Sequence, residues 1–153
     1  MIAVKTNILT ACILLAACRV PGGMPDSASY RPGLGEFMKS LQYHHAKLYY
    51  AGQNRNWRLA EFELHELTEA AEDIEKFHPG RAEIQTLAAL KKSFTAVKKT
   101  VETKDQPAFQ TAFDNLTKTC NACHRETNHD FISITAPVAP PVTNQDFRPT
   151  PGR

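Results

Sequence analysis

Glycine is sparse in this chain, seven residues in 153, and only Pro79 and Pro107 interrupt positions 33 to 129. A stretch that long with so few breakers leaves room for long helices. No segment alternates apolar and polar residues for long enough to build a sheet, so strand-based folds drop out. No hydrophobic run reaches the roughly 20 residues needed to span a bilayer. Neither charge sign is in excess, with 18 Lys and Arg against 16 Asp and Glu. Nucleic-acid binding and acidic disorder are therefore not indicated. Cysteine occurs only at positions 12, 18, 120 and 123. At this length the chain holds one domain with a real core and hardly more.

What is present begins with an export pattern. Lys5 sits in a short polar start, followed by an apolar run from Ile8 to Ala17, as in a secretory signal. Its end, LLAAC, resembles a bacterial lipobox: Leu15, two small alanines, then Cys18. That reading makes 1–17 a signal peptide and Cys18 a lipid anchor; an ordinary signal with an incidental Cys18 is the plainer alternative. Arg19 follows where an aspartate would resemble inner-membrane retention, so the expected location is the periplasm, on the outer membrane. Residues 18–32 are rich in Pro, Gly and Ser and read as a flexible spacer.

Four segments then show apolar residues at spacings of three and four. The first, about 33–51, has Leu34, Met38, Leu41, His45 and Leu48 on one stripe, with Gly52 and Asn54 suited to its end. The second, about 56–78, carries Trp57, Ala60, Leu64, Leu67, Ala71 and Ile74, and Pro79-Gly80 stops it. The third, about 81–103, uses Ile84, Leu87, Leu90, Phe94, Val97 and Val101. The fourth, about 105–128, opens on Asp105 as N-cap with Pro107 in its first turn. It runs through Phe109, Phe113 and Leu116 to Cys120 and Cys123. Four amphipathic helices with short loops predict an all-α, antiparallel up-down-up-down four-helix bundle over 33–129. Residues 130–153, with Pro137, Pro140, Pro141, Pro149 and Pro151, read as a Pro-rich extended tail that Phe147 pins down.

The fourth segment holds CNACH, with Cys120, Cys123 and His124 inside five residues. A structural disulfide would close only a tiny loop and constrain the unfolded chain little. Zinc would take Cys120, Cys123, His124 and His129, but such sites usually draw ligand pairs from two separated knuckles. A redox dithiol needs a βαβ setting. The pattern C-x-x-C-H is the haem-attachment signature. Two thiols one helical turn apart add to the two vinyl groups of one haem, and the adjacent histidine turns its ring to the iron. Attachment of this kind requires export, which the N-terminus supplies.

A CxxCH motif late in the fourth helix of a bundle resembles the class II cytochromes c, the cytochrome c′ family and its low-spin relatives. The resemblance covers about 33–129 and implies one haem c inside the bundle. Cys120 and Cys123 are then the covalent attachment points and His124 the proximal iron ligand. The long tail departs from that family, whose motif lies close to the C-terminus, and could cover the haem edge. The resemblance also admits a homodimer.

The sixth ligand separates an electron carrier from a gas binder. In an antiparallel bundle Met38 and His124 both lie within roughly 8 Å of the same end, and the family's low-spin members use a methionine near the start of their first helix. Met38 is the expected sixth ligand, against the plainer use of methionine as core filler. His45, about 10 Å further along, is the rival ligand or a propionate contact. His44 is expected to be exposed, and His65 and His78 are not expected to ligate. Trp57, Phe94, Phe109 and Phe113 read as packing. The second helix has seven acidic residues from Glu61 to Glu75, and the third carries Lys91, Lys92, Lys98 and Lys99, with Lys104 after it. These read as solvated faces that pair with each other or orient a partner. No acid–base pair or nucleophile near the motif points to turnover. The expectation is a monohaem carrier of one electron between periplasmic or membrane redox proteins, with a five-coordinate NO- or CO-binding protein as the alternative.

Overall fold

Helix caps set the element boundaries. Asn56 Oδ1 accepts the Leu59 amide proton at 3.2 Å, and Asp105 Oδ1 accepts that of Ala108 at 3.0 Å, each satisfying a donor the following helix leaves free. A computed structural model of the chain describes residues 30–151. It contains four α-helices, α1 Leu34–Gln53, α2 Trp57–Phe77, α3 Ile84–Thr103 and α4 Gln106–Glu126, and no strand among the described residues. The signal peptide, Cys18 and most of the spacer lie outside the described residues. No described helix is long and apolar enough to cross a membrane.

Three corrections concern helix ends. The third helix begins at Ile84, not near Arg81, because residues 81–83 make short turns in which Ile84 N bonds Arg81 O and Gln85 N bonds Ala82 O. Gly52 lies inside α1 and does not terminate it. A Cβ at Gly52 would stand 2.0 Å from Phe109 Cε1, so glycine is there to let the Phe109 ring press on α1. The residues that leave the helices through left-handed backbone are Arg55, Lys104 and Asn128, with φ of 56°, 56° and 62°. Asn128 therefore lies beyond α4.

The core is one cluster from all four helices. Phe109, Phe113, Leu48, Leu67, Ile74, Leu116 and Val97 are fully buried, each contributing up to about 1.5–3 kcal/mol. In α2 every stripe residue named above is buried except Trp57, which is half-buried. Helix α1 pairs with α4 in a fixed order. Gln53 bonds Gln110, Gly52 meets Phe109, Tyr49 packs on Phe113 at 5.2 Å, and His45 bonds Thr117 at 2.8 Å. Beyond His45 the two helices flank a cleft.

The charged faces of α2 and α3 are exposed or half-exposed as expected, with Glu63 the exception. Across α2 and α3 one ion pair forms, Lys91 Nζ to Glu75 Oε2 at 2.6 Å. Glu63 is fully buried instead of solvated, with Lys47 Nζ at 2.7 Å from Oε1 and His44 Nδ1 at 2.7 Å from Oε2. His44 is accordingly mostly buried, its side chain 14% exposed, because the Glu63 carboxylate draws it inward.

After α4 the chain folds back at several points. Asn121 makes a reciprocal pair with Ile134, at 2.8 Å to its carbonyl and 2.7 Å from its amide. Tyr50 Oη donates to Pro137 O at 3.3 Å, and Asn56 Nδ2 to Arg148 O at 3.2 Å. Phe147 is buried against Tyr50, with ring centroids 5.4 Å apart.

Candidate functional site

The cleft beyond His45 is narrow and partly open to solvent, with about 60 Å³ of room for water, small beside the roughly 300–1,000 Å³ usual for occupied cofactor sites. Helix α1 supplies Met38, Leu41, Gln42 and His45; α2 supplies Leu67; α3 and its leading turn supply Glu83, Thr86, Leu87, Leu90 and Phe94. Helix α4 supplies Leu116, Thr119, Cys120, Cys123 and His124, and Ile134 closes one side. Five leucines, Phe94, Met38 and Ile134 supply the apolar part of the walls, and the helical repeat brings both thiols to the same space.

Cys120 and Cys123 are free thiols. Burial pushes the Cys120 thiol up to about 11, with the neighbouring Cys123 adding to the effect. It is thus a protonated thiol at neutral pH, the wrong state for a dithiol exchange centre. Cys123 Sγ lies 2.8 Å from the Thr86 hydroxyl, which also sits 2.7 Å from Glu83 O; its single proton serves one of the two.

His124 is fixed by the residues that follow α4. Its Nδ1 lies 2.8 Å from Ile132 O. A carbonyl can only accept, so Nδ1 carries a proton, and in the neutral ring Nε2 is then the nitrogen with the lone pair. That is the state of a metal-ligating histidine oriented by its outer partner. The signal for this contact in the sequence is slight, since Ile132 acts through its backbone.

His45 is a core histidine. It is 4% exposed, stacks near Phe113 at 4.4 Å and bonds Thr117 Oγ1 through Nε2. Thr117 also donates to Phe113 O at 3.1 Å, which uses its only proton, so Nε2–H of His45 is the donor. Burial lowers the His45 pKa to about 4, and the ring is neutral at neutral pH. The other histidines stand apart from the cleft lining. His65 is exposed beside Glu69, His78 Nε2 reaches Pro32 O at 2.9 Å, and His129 Nδ1 meets Thr127 Oγ1 at 3.2 Å. Among the described residues no three His, Cys, Asp or Glu side chains converge as a metal-holding group.

One cleft residue gave no sign of itself in the sequence. Glu83 is 4% exposed and is held by Arg81, whose Nε reaches Oε2 at 3.0 Å and Nη2 reaches Oε1 at 2.9 Å. Those bonds from Arg81 hold its carboxyl below the usual range, so the group is ionised. In the sequence it is one acid after a Pro-Gly turn, and only the fold turns it inward.

The cleft thus sets two thiols and a ring nitrogen at one wall and a thioether from another helix, with hydrocarbon between them. No family model matches the chain, and comparison with curated proteins and with solved structures found no match.

Proposed function

We propose that the chain is an exported monohaem c-type cytochrome, lipid-anchored through Cys18 on the outer-membrane side of the periplasm, that carries one electron between redox proteins. The observation that carries the reading is the meeting of Met38 from α1 with Cys120, Cys123 and His124 from α4 around one apolar cleft. A covalently held haem supplies a one-electron couple there. Cys120 and Cys123 would hold it through thioethers, and His124 Nε2 and Met38 would be the iron ligands. Ile132 orients the His124 ring, and the leucine walls keep water out, which tunes a potential through the local dielectric. His45 is better placed as a packed neighbour of Thr117 than as the ligand. The α1/α4 pairing, in which positions fall along one helix as they rise along the other, supports an antiparallel bundle. The backbone after α4 supports a Pro-rich extended tail laid along it. Both fit a class II cytochrome c.

An absorption spectrum of the periplasmically matured protein, oxidised, reduced and with CO, tests the assignment. A low-spin spectrum with the far-red methionine-to-iron band, unmoved by CO, is expected. Met38→Ala should become high-spin and bind CO. A wild-type ferric spectrum that is already high-spin, with a reduced form that takes CO, would replace the carrier with a gas-binding protein.

A further inference from the structure

We infer that Arg81 and Glu83 form a charge pair that sets the reduction potential of the cofactor in the cleft, Glu83 lowering it and Arg81 moderating the effect. This rests on the haem reading above. Of the described side chains lining the cleft, Glu83 is the one carboxylate, and neither lysine nor arginine is among them. It is buried, while Arg81 has a side chain 48% exposed. The negative charge therefore faces the low-dielectric space and the positive charge faces water, which screens it. The pair is also tied to the attachment motif, since Thr86 touches both Glu83 O and Cys123 Sγ.

Oxidised haem carries one more positive charge than reduced haem. A fixed carboxylate on the wall of the same cleft stabilises the oxidised form and disfavours reduction. At an effective dielectric of about 20, one such charge shifts the equilibrium by about tenfold, equal to about 59 mV for one electron. A pair that merely clamped the turn before α3 would alter stability and leave the potential alone.

The test is spectroelectrochemical titration at pH 8 of matured wild type, Glu83→Gln and Arg81→Gln, with covalent haem verified by the mass of the denatured chain. Glu83→Gln should raise the potential by the equivalent of about tenfold. Arg81→Gln, which leaves the carboxylate unpartnered, should lower it by less. Unchanged potentials in variants that keep wild-type spectra would overturn the inference and leave the haem reading standing. A chain that matures without covalent haem overturns both. Should Glu83→Gln fail to fold, the half-exposed Arg81 decides: an unmoved or raised potential in Arg81→Gln refutes the pair.

Discussion

Two histidines side by side in α1 meet opposite fates. His44 gives its Nδ1 proton to Glu63, and with Lys47 it surrounds a fully buried carboxylate. The attraction mostly offsets the cost of taking those charges out of water, so the cluster stabilises little in net terms. His45, one residue on, is neutral and donates to Thr117. Its pKa near 4 lies below the ordinary value of about 6.5. The unfolded chain takes up a proton there before the folded one does, so the folded state weakens as pH falls from about 6.5 towards 4. By pH 4 the loss from this one ring approaches about 3 kcal/mol. Carboxylates titrate over the same range, so the comparison must be with His45→Gln, whose amide can still donate to Thr117. Urea denaturation at pH 7 and pH 4 should show wild type losing about 3 kcal/mol more than the variant. Equal losses would mean that the ring is solvated in the folded chain.

At the scale of elements, α1 and α4 are held close at one end and parted at the other. The close end is Gly52 against Phe109, about 21 Å along the α1 axis from Met38. Phe109 is fully buried and has no room to withdraw. Gly52→Ala should therefore cost about 3 kcal/mol through overpacking, a fall in Tm of roughly 10–15 °C, with the visible spectrum unchanged. A fall under roughly 3 °C would show that the ring shifts easily. Gly52 also marks where sequence reading stops. Near the end of an apolar stripe a glycine reads as a terminator, and only the facing ring on α4 reveals a close approach. The stripes themselves were legible because burial follows the helical repeat, as in α2. Phe37, one position off the α1 stripe, is buried against Phe77 and His78 at the helix end, where packing comes from one side. Cys120, Cys123, His124 and Met38 were readable as candidates because their residue types are rare and specifically spaced. Glu63 and Glu83 were not. A charged residue reads as solvated unless the partner that accompanies it inward is known, and Lys47 lies on another helix.

In the molecule as a whole, the segment after α4 does two separable jobs. Its first part belongs to the cleft: Ile132 orients His124, and Ile134 lines the cavity while clipped to Asn121. Its second part meets the C-terminal end of α1 and the residues after it, where Phe147 is buried on Tyr50 and Arg148 O meets Asn56. The two parts divide near Pro137, whose carbonyl accepts from Tyr50. Deleting residues 136–153 should thus remove stability without touching the site. Burial of one phenylalanine contributes up to about 3 kcal/mol, less the entropy of ordering the chain that carries it, so a net loss of about 1–2 kcal/mol is expected. Phe147→Ala should reproduce most of it, because the remaining contacts are two partly solvated hydrogen bonds, each worth about 1 kcal/mol at best. Urea unfolding of both variants measures the loss, and their absorption spectra should overlay that of the full chain. A truncated protein with wild-type stability would mean that ordering the tail cancels what Phe147 contributes. A changed spectrum would place residues beyond 136 at the cleft, and the division at Pro137 would be wrong.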